Sequence, residues 1–160
     1  IGRTVLAGKH FTHFYTSPLS RTIDTLTFMA EGANDFADLK PEIFPPHKSS
    51  QLPEGMSLWE GVCHTAESAG EDMMTAALDK EPSKSALISE ASANLFRSWL
   101  TSLPEEAMVL VVHHSPFLEL MVYGLSGQRF PQLDYCEGLL VQQENDNLKI
   151  SPIETTVSSS

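Results

Sequence analysis

The chain has 160 residues, 41% apolar and 19% charged, with 21 acidic side chains against 10 basic ones and a formal net charge of −11. That length fits one domain that buries its core without disulfides or metal staples, and the charge excludes a general surface for nucleic acid or anionic membrane. No apolar run approaches the roughly 18 residues of a membrane helix, and an anionic partner would need a local basic pocket.

The two cysteines, Cys63 and Cys136, stand far apart without a CxxC or Cys/His ligand spacing. They read as packed thiols in a reducing cytoplasm. His10, His13, His47 and His64 share no ligand spacing either, so neither a metal nor a cofactor is expected.

Ile1, Val5 and Leu6 recur at helical spacing with no capping residue before them, the pattern of a helix entered from upstream and stopped at Gly8. No basic stretch followed by a long apolar core marks a signal peptide. Phe11 to Thr16 is short, aromatic and β-prone. Ser17 is then the expected cap and Pro18 the first position of a helix whose apolar face is Ile23, Leu26 and Met29/Ala30, ending at Gly32. From Ala33 to Leu58 the chain is rich in Pro, Asp and Ser, which predicts a long loop with one apolar point at Ile43-Phe44. Helices are predicted over 64–79 and 85–102, divided by Lys80-Glu81-Pro82-Ser83, the second with a buried stripe of Leu87, Ala91, Leu95 and Trp99. Met108 to Val112 is continuously apolar, as in a strand buried on both faces. After His113-His114-Ser115-Pro116 comes a helix over 117–123. Residues 136–143 and 148–153 alternate apolar and polar around Glu144 to Asn147, an antiparallel hairpin at the sheet edge. Residues 1–154 are expected to form one domain, with 155–160 a flexible tail.

Two corners share one punctuation: strand, small hydroxyl residue, proline, helix. Each sets polar groups at the C-terminal edge of a sheet, beside the free amides of a helix start. Ser17-Pro18 and Ser115-Pro116 could therefore face one phosphate, since helix N-termini favour anions. The expected fold is a three-layer α/β/α sandwich with a mostly parallel central sheet and an antiparallel edge hairpin. Strands near 11–16 and 107–112 lie adjacent and parallel in it.

Phe14-Tyr15-Thr16-Ser17-Pro18-Leu19-Ser20-Arg21-Thr22, with Thr25, resembles the "ySSPLxRaxxTA" segment of the histidine phosphatase (phosphoglycerate mutase-like) superfamily. Val109-Leu110-Val111-Val112-His113-His114-Ser115-Pro116 resembles its second signature, "vlvVxHsp", about 90 residues later. The resemblance implies that Arg21 binds the transferred phosphoryl group and that His114 donates to it near the leaving group, with Ser17 and Ser115 lining the pocket and His113 in a variable position. Leu52-Pro53-Glu54 followed by Leu58-Trp59-Glu60-Gly61 resembles the "LxE…WEG" segment, one residue shorter between its glutamates. It implies Glu54 as the general acid, with Glu60 second. The chemistry suits these residue types. Arg21 offers a permanent cation in a fork matched to phosphate, and an imidazole gives a proton near neutral pH.

The family's nucleophile is the histidine of an Arg-His-Gly motif ending the first strand, and no Arg-His dipeptide occurs among the 160 residues. Together with the uncapped first helix, this reads as N-terminal truncation, which would leave the chain as given inactive. The resemblance implies a metal-independent phosphatase acting on a small phosphorylated substrate or a phosphoprotein. Two alternatives stay open: a sugar-phosphate mutase, and a phosphoester-binding module that never carried the nucleophile. Taken singly, Arg21 could form a surface ion pair, His114 could be a satisfied core histidine, and Glu54 and Glu60 could be solvated carboxylates.

Overall fold

The computed structural model describes residues 5–33, 41–47, 56–134, 137–145 and 147–153. The described residues of 1–51 and 94–114 pack as one compact unit and those of 52–93 and 115–160 as another.

The first unit is built on a parallel sheet. Strand β1 (His13–Thr16) pairs with β2 (Glu42–Ile43) on one side and β3 (Val109–Val112) on the other. β1 and β3 run parallel from His13↔Val109 to Thr16↔Val112, as the two matching corners require. Successive side chains of a strand point to opposite faces, and β1 shows what each face meets. Phe14 packs with Leu110, Val112 and, from helix α1 (Ser20–Ala33), Leu26 and Met29. Tyr15 meets Trp99 edge to face at 5.1 Å between centroids, within a cluster of Phe44, Phe96 and Trp99. Phe96 and Trp99 come from the C-terminal turns of the helix over Pro82–Leu100, so helices cover both faces and the three-layer order holds. Such aromatic pairs contribute roughly 0.5–1.5 kcal/mol each beyond the area they bury.

Three expectations are corrected here. Residues 5–8 form a turn rather than the end of a helix, closed by Lys9 N–H to Leu6 O at 3.0 Å with Gly8 at φ +73°; residues 1–4 lie outside the described residues. The expected loop after α1 contains β2 and a 3₁₀ turn at Pro45–His47, because Phe44 carries its N–H to Thr16 O at 2.9 Å and its ring into the aromatic cluster. β3 reads as a strand buried on both faces, yet only Val112 of its four residues is buried, and among the described residues β3 is an edge of the sheet.

The second unit is mostly helical: α2 (Met56–Ser68), α3 (Met73–Lys80), the first turns of α4 (Pro82–Leu100) and α5 (Phe117–Ser126). One helix predicted over 64–79 is in fact α2 and α3. Gly70 takes φ +71°, which glycine adopts freely, and Asp72 restarts the chain as an N-cap, accepting from Thr75 N–H at 2.6 Å. Trp59, Cys63, Ala66, Met74, Ala77, Ile88 and Leu120 form the core, and Trp59 Nε1 donates to buried Ser85 Oγ at 3.1 Å.

The buried stripe of α4 is also shifted from the predicted one. Leu87 is 58% exposed, while Ser85, Ile88, Ser89, Ser92, Ala93, Phe96 and Trp99 are buried. Small residues face inward because another helix comes very close: a Cβ added to Gly124 of α5 would lie 2.1 Å from the Ser89 carbonyl oxygen. The expected hairpin is present as β4 (Gly138–Glu144) and β5 (Asn147–Ile153), antiparallel, with Asn145 at φ 56° in its turn. It forms a two-stranded sheet of its own. No helix among the described residues is long and apolar enough to cross a membrane.

Candidate active site

The parallel register of β1 and β3 decides where the predicted site residues fall. Both strands end together, at Thr16 and Val112, and Ser17 N–H extends the ladder by donating to Val112 O at 3.2 Å. Ser17 and His114 are thereby brought to one sheet end, where Ser17 Oγ lies 3.3 Å from His114 Nδ1. Arg21 follows within the first turn of α1 at that same end. Its side chain is exposed, and among the described residues it forms no ion pair.

Ser17 is fully buried but does not cap α1, which starts at Ser20 rather than Pro18. Its hydroxyl has other partners. Ser17 Oγ lies 2.7 Å from Thr22 Oγ1, and Thr22 Oγ1 donates toward Leu19 O at 2.8 Å and Ser17 O at 3.0 Å. The first turn of α1 holds no acidic residue and does hold Arg21, the reverse of what the helix dipole favours.

His114 is half-buried, and its ring stacks on His113 with centroids 4.5 Å apart and planes 20° from parallel. His113 Nδ1 donates to His114 O at 3.2 Å, and its ring rests against Phe44 at 5.8 Å. The histidine in the variable position thus supports its neighbour. Thr22 and His113, contacting Ser17 and His114 at this sheet end, were not singled out in the sequence. Thr22 left one signal, a hydroxyl five residues after Ser17; His113 left only its place beside His114.

Ser115 belongs to the second unit, and it too fails to cap the helix that follows. Pro116 is the N-cap of α5, without a side-chain cap bond. Ser115 Oγ donates instead to Glu119 Oε1, which also accepts from Leu133 N–H at 2.8 Å. Glu119 is completely buried, and its Oε2 has no hydrogen-bond partner among the described residues. The backbone of Gln132, beside Leu133, donates to Asp72 Oδ2 at 3.0 Å, and its side chain accepts from Met73 N–H. Burial alone would raise the Asp72 carboxyl, but donation from Thr75 and from Gln132 N–H outweighs it and holds the group below its ordinary value.

Glu54, the expected general acid, lies outside the described residues. Glu60 is exposed on α2. No group of three or more His, Cys, Asp or Glu side chains among the described residues is arranged to hold a metal ion.

No curated protein and no solved structure matches the chain. The family described as Histidine phosphatase superfamily (branch 1) matches it over residues 3–154, a span that takes in both corners, Ser17 to Arg21 and His113 to Ser115. This chain belongs to branch 1 of the histidine phosphatase superfamily.

Proposed function

We propose that the chain is the phosphate-holding part of a metal-independent phosphatase that hydrolyses a phosphomonoester or a phosphohistidine through a covalent phosphohistidine. The observation that carries this reading is the meeting of His114 and Ser17 at the sheet end where an acid-free helix start presents Arg21. Arg21 supplies the fork for two phosphoryl oxygens, and His114 a charge-assisted hydrogen bond to another. Ser17, fully buried, stands behind His114 at its Nδ1.

The nucleophile in this reading is the histidine of an Arg-His-Gly segment not contained in the 160 residues. Its imidazole nitrogen attacks phosphorus, the ester P–O bond breaks, and the leaving oxygen takes a proton from a carboxylic acid, Glu54 by position and Glu60 as second choice. The same acid then activates water, which cleaves the P–N bond and releases phosphate. Arg21 and His114 stabilise the oxygens in both steps, a contribution of a few kcal/mol. A second reading is a binding module that holds phosphoesters without turning them over.

Two measurements test this. Inorganic phosphate or vanadate should bind the chain with an affinity that depends on Arg21; a titration without that dependence removes the site. A protein that carries the Arg-His-Gly segment should form an acid-labile, base-stable phosphohistidine, in reduced yield with His114→Ala, and hydrolyse p-nitrophenyl phosphate in the presence of EDTA. Phosphate binding without a phosphoenzyme in that longer protein would favour the binding module.

A further inference from the structure

We propose that Thr22, acting through Ser17, is a positioning residue that holds neutral His114 in its Nδ1–H tautomer and so makes Nε2 the nitrogen that gains and gives the proton at the phosphate. The inference rests on the functional reading for its consequence, and on hydrogen-bond geometry alone for the tautomer.

Three side chains, His114, Ser17 and Thr22, stand in a row of hydrogen bonds. Carbonyl oxygens only accept, so the contacts from Thr22 Oγ1 to Leu19 O and Ser17 O commit the single proton of that hydroxyl. Thr22 Oγ1 can then meet Ser17 Oγ at 2.7 Å only as an acceptor, which commits the proton of Ser17 as well. Ser17 Oγ is left with lone pairs toward His114 Nδ1 at 3.3 Å, and a hydroxyl that can only accept there requires a proton on that nitrogen. The direction is therefore His114 to Ser17 to Thr22 to backbone.

Burial makes the order consequential. Ser17 is 0% and Thr22 5% exposed, so water does not readily replace either partner, and a reversed hydroxyl would leave a lone pair facing a lone pair. On the other side, His113 stacks on the ring and its Nδ1 donates to the backbone of His114, which keeps the imidazole plane in place. When a phosphoryl oxygen arrives, the proton taken up goes to Nε2 and gives an imidazolium with both nitrogens donating. Proton return to the neutral state leaves Nδ1–H intact.

The test is two-bond 1H–15N correlation of the ring nitrogens in the 15N-labelled chain, recorded above the imidazole titration range, at about pH 8.5, without any ligand. His114 should show a protonated Nδ1 and a bare Nε2. In Thr22→Val, Ser17 loses its acceptor, its hydroxyl turns toward Nδ1, and the signals should shift toward the Nε2–H form; Thr22→Ser should restore the wild-type pattern. Inorganic phosphate should bind Thr22→Val about three- to tenfold more weakly, the worth of one hydrogen bond, and Thr22→Ser as well as wild type. A bare Nδ1 in the wild-type chain overturns the proposal, whether or not the valine variant folds, as does a folded Thr22→Val with an unchanged tautomer. If the tautomer is as stated and phosphate does not bind, the functional reading fails and the tautomer assignment stands.

Discussion

Ser17 Oγ and His114 Nδ1 lie 3.3 Å apart although 97 residues of sequence separate them, because β1 and β3 are parallel and end in register. Parallel strands require a long crossover between them, and here the crossover includes β2, α2, α3 and α4. The pairing brings the residues that follow the two strands, Ser17 and His114, to one place.

Arg21 is the first residue to test against that place. Its side chain is exposed, and surface substitutions of this kind change stability by about 0.5 kcal/mol or less. Arg21→Ala should therefore melt like the parent while binding phosphate roughly tenfold to hundredfold more weakly, the range for a charge-assisted hydrogen bond. Arg21→Lys should recover only part of the affinity, since an ammonium cannot offer two parallel donors. Calorimetric titration alongside thermal melting separates the two effects.

Glu119 should behave in the opposite way. Its Oε1 is the acceptor for both Ser115 Oγ and Leu133 N–H inside the protein. Glu119→Ala leaves two donors unmatched and should cost about 3 kcal/mol in urea denaturation. Glu119→Gln keeps the accepting oxygen and should cost about 1 kcal/mol, with the amide nitrogen as its unmatched atom.

Gly124 and Leu87 form a matched pair of tests for the α4–α5 contact. Gly124→Ala would place a methyl group inside the contact distance of the Ser89 carbonyl, which is backbone and can yield only if a helix moves. A loss of about 3 kcal/mol or more is expected. Leu87→Ala, at a 58% exposed position, should change stability by less than about 0.5 kcal/mol. Equal effects from the two substitutions would mean that the predicted stripe, rather than the observed one, faces inward.

Cys63 gives a pH prediction. Burial, reinforced by the nearby Glu60 charge, pushes its thiol up to about 12 from an ordinary value of 9.0. A raised folded-state value means that the unfolded chain loses the proton first, so the contribution to stability is complete below about pH 9 and is lost as pH rises toward about 12. Cys63 should resist thiol reagents in the native protein at neutral pH and react once the chain is unfolded in urea. Rapid native labelling at Cys63 would contradict its burial.

The elements that the sequence made legible were those with local causes. Phe11 to Thr16 and Met108 to Val112 are apolar, short and followed by Ser-Pro or His-His-Ser-Pro, which places β1 and β3 and their shared end. What escaped depended on partners remote in sequence. β2 has only two residues and exists because Phe44 finds Tyr15 and Trp99. The inward face of α4 was misread because periodicity favours the larger Leu87, whereas close approach by Gly124 selects Ser89 and Ala93. The cap expected of Ser17 was misassigned because Thr22 and His114 take its hydroxyl away from the helix amides. Arg21, Ser17 and His114 were readable from motif spacing as candidates for one sheet end, whereas the contact of Ser17 with Thr22 was not.

The register of β1 also sets a schedule for synthesis. His13 pairs with Val109, so a chain growing from its N-terminus at roughly 5–20 residues per second carries β1 for about 5–20 s before its partner has been made. During that interval β1 has only the two residues of β2 to pair with and lacks β3, while α2 and α3, whose contacts are local, can already close on each other. Arrest of translation before residue 109 should therefore leave nascent chains whose helical segments resist protease and whose β1 is cut or held by a chaperone.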